Sequence, residues 1–230
     1  MTLRHPLKAF ALSLALVLGT AASSRADSIN WGDSVGNTLL FSYGGNLDSS
    51  VTFQLGTFGS FVPTANNMDQ WAANWHVFDQ VTAGAGYTPS EGFFSSTATV
   101  QSDGTSSSGL SPYSFQIGEQ AYIWAFTPNQ NAINGGEWAL VTNDSSDGNA
   151  GDNWLIPSYT DQSVLPQDWR IDAATDIVFG GANSTQGPGD HNSNPTSFDL
   201  QLHAVVPEPG SALLLGLGVL SLVCGRRRKA

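Results

Sequence analysis

Nineteen acidic side chains and only eight basic ones give this chain of 230 residues a net charge of −11, and the bases are unevenly spread. Seven of them stand near the ends (Arg4, Lys8, Arg25, Arg226, Arg227, Arg228, Lys229), so residues 27–205 hold eighteen acids against Arg170 alone, a net −17 with histidines neutral. Such a surface repels phosphate backbones and acidic polymers, which excludes nucleic-acid binding, and it attracts cations.

The N-terminus reads as an export signal. Arg4, His5 and Lys8 precede an uncharged stretch, residues 9–22, too short for a usual spanning helix. Ser24-Arg25-Ala26 then offers small residues for cleavage after Ala26, so residues 1–26 are a predicted signal peptide for the Sec translocon and signal peptidase. A cut after Ala21 or Ala22 also fits. The only cysteine, Cys224, lies near the C-terminus, so no disulfide is available to residues 27–205. That stretch is long enough for one core held by packing alone, and it is read as one domain.

Residues 37–43 (NTLLFSY) and 51–55 (VTFQL) read as strands separated by a Gly-Gly-Asn turn, with a third short one at Phe61-Val62. Then Met68, Trp71, Trp75 and Phe78 recur at spacings of three, four and three, which predicts an amphipathic helix over 65–81 with those four on its buried face. Trp71 and Trp75 are thereby assigned to the core rather than to a sugar-stacking platform. Serine-rich 102–109 reads as a flexible connector and 112–117 as a strand. The clearest strands are 120–126 (QAYIWAF) and 137–142 (EWALVT), an antiparallel hairpin with a long loop. Further strands are expected at 169–171, 175–179 and 196–206. The sum is a mainly β fold: a single antiparallel β-sandwich or jelly-roll-like domain with one amphipathic helix, flanked by the signal peptide and a C-terminal transmembrane helix.

Motifs that carry chemistry are few. Gly32-Asp33-Ser34-Val35-Gly36 fits G-x-S-x-G, but a nucleophile elbow needs a strand before it, a helix after it and a downstream acid and histidine. Here it reads as a turn, and no catalytic residue is assigned. Residues 144–152 (DSSDGNAGD) could supply calcium with oxygens from Asp144, Asp147 and Asp152, although the spacing is not that of an EF-hand. His76, His191 and His203 form no zinc pattern.

The last 25 residues have three parts in fixed order: Pro207-Glu208-Pro209, an uncharged run at 211–225, and Arg226, Arg227, Arg228 and Lys229. Two prolines around one residue form a stiff spacer. The run reads as a membrane helix whose basic end stays on the cytoplasmic side, yet at about 1.5 Å per residue it is short of a ~30 Å hydrocarbon core. This tail resembles the PEP-CTERM sorting signal of Gram-negative bacteria. The resemblance implies recognition and cutting by an exosortase, transient residence in the inner membrane, and delivery to the cell surface or outside it, commonly in cells that make exopolysaccharide. Residues 63–75 (PTANNMDQWAANW), with Tyr122-Ile123-Trp124 and Glu137-Trp138, also resemble uncharacterised PEP-CTERM cargo.

Residues 27–205 are therefore expected to be a cargo domain and 206–230 its sorting signal. The expected function is that of an exported, non-enzymatic surface or extracellular-matrix protein, structural, adhesive or glycan-binding, with surface glycan or exopolysaccharide as candidate partner. The alternatives are a secreted carbohydrate-active hydrolase and a calcium-dependent binding module.

Overall fold

The computed structural model describes residues 27–34, 39–131, 135–145, 148–160, 165–192 and 195–205. Outside them lie the predicted signal peptide with Ala26, the whole tail (Pro207, Glu208, Pro209, the run 211–225, Arg226, Arg227, Arg228 and Lys229), and Asp147.

Among the described residues the strands are, in chain order, β1 (Asp27–Gly32), β2 (Leu40–Phe41), β3 (Thr52–Thr57), β4 (His76–Ala83), β5 (Gly86–Thr88), β6 (Phe93–Val100), β7 (Ala121–Thr127), β8 (Glu137–Thr142), β9 (Gln167–Arg170), β10 (Asp176–Phe179), β11 (Gly181–Ala182), β12 (Thr185–Gln186), β13 (Leu200–Gln201) and β14 (His203–Ala204). A large sheet runs in the order β10-β8-β7-β3-β4-β5-β6-β1-β9, with β14 also paired to β8, and a small one runs β12-β11-β13-β2. The outermost strands of the large sheet do not meet, so no barrel closes.

The predicted hairpin is the centre of this arrangement. β7 and β8 pair antiparallel, Ile123 opposite Val141 and Phe126 opposite Trp138, and β3 takes the other side of β7. Not every pair is antiparallel: β1 with β9, β4 with β5 and β2 with β13 run parallel. β1/β9 and β2/β13 join strands far apart in sequence, where a long connection can return in either sense.

Two apolar layers form because the central strands are apolar on both faces. Side chains alternate across a strand. Ala121, Ile123 and Ala125 of β7 face a main core with Phe53, Leu55, Phe78 and Val81, which Leu40, Ala182 and Leu200 of the small sheet share. Trp124 and Phe126 face the other way, with Trp138 and Leu140 of β8, into a second cluster roofed by Phe58, Trp71 and Trp75. Trp71 stacks on Trp138 at 5.7 Å between ring centres and meets Trp124 edge-on at 5.6 Å, while Trp75 meets Trp124 at 5.5 Å.

The expected helix over 65–81 is much shorter. A 3-10 turn, Met68–Gln70, runs into one α-helical turn, α1 (Trp71–Asn74), and the chain is extended from Trp75 into β4. Trp71 and Trp75 do lie together in the roof, but Phe78 packs on the opposite side of the sheet, in the main core. Pairing with β3 outweighed a helical periodicity that four residues satisfied by coincidence. Gly56 of β3 makes the close approach of this segment possible: a Cβ there would sit 2.3 Å from the His76 carbonyl and 2.7 Å from the Trp75 ring.

Other expectations change too. Residues 61–62 and 112–117 form no strand, although Phe115 is buried. The serine-rich connector is pinned: the Ser106 and Ser108 hydroxyls both donate to the Phe78 carbonyl, and Ser106 is buried.

If the roof is part of the cooperative fold, Trp71→Ala lowers stability by about 3–5 kcal/mol. The exposed Leu165→Ala stays within about 0.5 kcal/mol of wild type. Urea unfolding followed by far-ultraviolet circular dichroism measures both, and a Trp71→Ala loss below about 1 kcal/mol would show that the roof folds independently of the sheet.

Candidate functional site

Three places can carry function: a polar cleft, a buried acidic corner, and the point where the chain leaves the domain.

The cleft lies between the loop after β2 and the β7–β8 hairpin. It encloses about 230 Å³ and is lined by Ser42, Asn46, Asp48, Ser50, Thr127 and Glu137, among others. A second hollow of about 210 Å³, lined by Leu47, Ser90 and Glu91, shares Asn46 with it. Two carboxyl groups of the cleft are pushed in opposite directions. The Ser50 hydroxyl and N–H both donate to Asp48 Oδ1, at 2.6 and 2.7 Å, and hold that carboxyl below its ordinary range. Burial raises Glu137, against the pull of the Tyr43 N–H that donates to its Oε2 at 3.1 Å, and the Asp48 charge adds to the rise. No aromatic platform accompanies the cleft. All seven tryptophans are buried, and the most exposed, Trp75, shows 8% of its surface.

The buried corner includes the G-x-S-x-G turn. Gly32, at φ +147°, lets the chain turn beneath β6, where a Cβ would lie 2.4 Å from the Phe94 carbonyl. The Asp33 N–H then donates to that carbonyl at 2.9 Å, and Asp33 is fully buried. The Ser34 hydroxyl donates to Asp172 Oδ2 at 2.7 Å rather than to a histidine, so the nucleophile geometry is missing. Asp199, just before β13, is buried as well, held by its N–H donating to the Leu39 carbonyl at 2.9 Å. Its charge is one of the causes that raise the Asp33 carboxyl.

Burial first, and then Asp199 and Asp172, push the Asp33 carboxyl up to about 7, against the pull of the Ser34 N–H and Arg170. Burial and the Asp172 charge also raise Asp199. Arg170 does not neutralise the pair: it donates to the Asp33 backbone carbonyl at 3.0 Å and pairs with Asp168 at 2.7 Å. Oδ2 of Asp33 and Oδ2 of Asp199 are both buried with no hydrogen-bond partner. Sequence reasoning passed over this pair, because alternation along 196–206 puts Asp199 on the face opposite Phe198, Leu200 and Leu202, nominally the wet one. In the fold Gln201 and His203, on that same side, are buried too.

Of the predicted calcium loop, Asp144 and Asp152 are described and Asp147 is not. The Asp144 N–H donates to the Thr175 hydroxyl at 3.0 Å, and the Asp152 carbonyl accepts from Asn143 at 3.1 Å. Among the described residues no three His, Cys, Asp or Glu side chains converge to hold a metal ion there or elsewhere. Of the histidines, His76 stacks on Tyr113 at 3.7 Å and His191 on His203 at 4.8 Å.

A carboxyl raised above its unfolded value of ~3.9 favours folding at low pH, and that contribution is lost as pH climbs through the folded value. In a buffer free of divalent cations, the stability of wild type relative to Asp33→Asn should therefore fall by about 2–3 kcal/mol between pH 5 and pH 8. Urea titrations at the two pH values measure it, and a constant difference would mean that Asp33 does not titrate in this window.

The chain leaves the domain along β14, where His203 pairs with Trp138 and Ala204 with Glu137. The Val205 N–H then donates to the Gly136 carbonyl at 2.9 Å, and Val205 is buried in the aromatic roof. Residues 205–229 match the family model of the PEP-CTERM protein-sorting motif. No curated protein and no solved structure matches the chain. The motif carries Pro207, Glu208, Pro209 and the basic end, and it marks the chain as a PEP-CTERM protein, exported across the inner membrane of a Gram-negative bacterium and targeted to an exosortase.

Proposed function

We propose that residues 27–205 act outside the cell as a compact structural or adhesive module of the cell surface or extracellular matrix, delivered there by exosortase processing and binding glycan through the polar cleft. The observation that carries this reading is the sorting motif, whose match begins at Val205, a residue packed into the aromatic roof of the domain. The tryptophans are spent on the core, so glycan contact falls to the hydroxyl, amide and carboxylate groups around Asn46, which suit the hydroxyls of a neutral sugar.

Replacing Pro207, Glu208 and Pro209 by alanines restores backbone donors and frees φ, which would let the spacer join the helix that the sequence predicts behind it. That precursor should remain in the inner membrane at full length. Removing the charges of Arg226, Arg227, Arg228 and Lys229 should instead mis-sort it, because the cytoplasmic stop is lost. Fractionation and immunoblotting separate the two failures, and wild-type processing of both variants would sink the sorting role.

The carbohydrate-active hydrolase is kept as a second reading on one observation: Asp48 and Glu137 line the same cleft with carboxyls pushed apart, the pattern of a base and an acid. In a pure binder, Glu137→Gln weakens glycan binding roughly 10–100-fold and no polysaccharide is cut. Release of reducing ends by wild type, abolished in Glu137→Gln, would replace the binding role with hydrolysis.

A further inference from the structure

We propose that the polar cleft and the hollow beside it are two subsites of one groove, and that the groove binds a linear, uncharged glycan with one sugar on each side of Asn46. The inference rests on the cleft being where glycan binds. Asn46 lines both spaces, which hold about 230 Å³ and about 210 Å³. Small-molecule sites begin at roughly 300 Å³, a size that neither space reaches alone and that the two together exceed.

Short backbone bonds set the walls. Asn46 bridges Phe41 in antiparallel fashion across a tight loop. In that loop the Ser42 N–H donates to the Gly45 carbonyl at 2.6 Å, and the Leu47 N–H donates to the Leu40 carbonyl at 3.3 Å. The turn between β5 and β6 supplies the far wall of the second hollow. There the Glu91 N–H donates to the Thr88 carbonyl at 3.0 Å and the Gly92 N–H to the Pro89 carbonyl at 3.3 Å. On the cleft side the hydroxyls of Ser50 and Thr127 share a bond of 2.7 Å, which ties the loop to β7. Walls braced in this way lose little freedom when a ligand enters, so less of the binding free energy is spent on ordering them.

The second hollow brings a mixed lining: Leu40, Leu47 and Pro89 beside Ser90 and Glu91. A sugar ring has C–H faces and a rim of hydroxyls. The apolar side chains suit the first, while a serine hydroxyl and a carboxylate suit the second. Charge narrows the ligand further. Asp48 and Glu137 line the cleft and Glu91 lines the hollow, and no base stands among the residues around either space. A uronate or sulfated chain is repelled there and an uncharged one is not. Two linked sugars also lose their rigid-body freedom once rather than twice, and the second contact becomes intramolecular.

The test is calorimetric titration of the full chain in detergent with gluco-, manno- and galacto-oligosaccharides, each from the single sugar to the hexamer, and with oligogalacturonate. At least one neutral series should bind, its disaccharide roughly tenfold or more tighter than its monosaccharide, and oligogalacturonate should not bind. Ser90 and Glu91 are exposed in their turn, and the double variant Ser90→Ala, Glu91→Gln should abolish that gain with length. Glu137→Gln should weaken both sugars and keep their ratio. If the double variant does not fold, Glu91→Gln alone and the length dependence of wild type decide. Equal binding of monosaccharide and disaccharide, weakened by Glu137→Gln alone, would overturn the second subsite and leave glycan binding by the cleft standing. Binding of no neutral series would remove both. Oligogalacturonate bound as tightly as the neutral chains would overturn the charge selection that defines the ligand.

Discussion

The packing of Trp71 and Trp75 onto the outer face of β7 and β8 is the contact on which the rest of the molecule depends. A sheet wet on one side would expose Trp124, Phe126, Trp138 and Leu140, the second apolar layer of its two central strands. Burying them needs a cover, and the 58–75 segment supplies one with a few large rings rather than a long helix. Rings bury much area per residue and add edge-to-face attraction. The layer is also costly in one respect, since the indole N–H groups of Trp124 and Trp138 find no acceptor. The polar handle at the margin is better served: Trp75 donates to Gln54 Oε1 at 2.7 Å, and Gln54 in turn bonds Gln80. The apolar area removed from water has to outweigh those two unmet donors, which explains why the cover is built chiefly from aromatic rings.

Electrostatics impose the other constraint. With one base for eighteen acids, carboxylates cannot be balanced by ion pairs, and among the described residues the Arg170–Asp168 bridge is the one recorded. Most acids solve this by staying wet or by accepting from a neighbouring hydroxyl and N–H, as Asp48 does from Ser50 and Asp103 from Thr105. Asp79 is buried and is satisfied by the Trp31 indole at 2.8 Å. Asp33 and Asp199 lack such a solution for one oxygen each, and they sit where β1, β9 and the small sheet converge. The rule the chain follows elsewhere makes this corner the exception.

How legible this was in the sequence depends on the reach of the interaction. The β7–β8 hairpin was readable because its signal is local: aromatic and β-branched runs on both sides of a Gly- and Asn-rich link. The tail was readable for the same reason, since three short segments in order are its whole content. The roof was half readable, because Trp71 and Trp75 do share a face, but β4 begins where the helical pattern still held. Only pairing with β3, some twenty residues earlier, decides that. The acidic corner could not be read at all. Asp33 and Asp199 are 166 positions apart in the numbering, and each looks like an ordinary turn or wet-face residue until the small sheet folds over it.

The position of Val205 also constrains how the tail can be presented. One residue, Val206, separates it from Pro207, and an extended chain advances at most ~3.6 Å per residue. Whatever holds the Pro-Glu-Pro unit therefore meets the folded body within roughly 10 Å, unless β14 lets go. β14 is not easily released: it pairs with β8 through His203 and Ala204, Ala204 also bridges Asp190 on the other edge, and the buried His203 bonds Pro188 and Gln186 through its ring nitrogens. Approach of the intact domain brings its −17 charge towards an anionic membrane surface, which repels it within a Debye length of about 8 Å. Release of β14 would lengthen the spacer and move that charge outward, but it would cost the Asp190 bridge and the buried contacts of His203, so the firmly held last strand sets the distance at which the tail is presented.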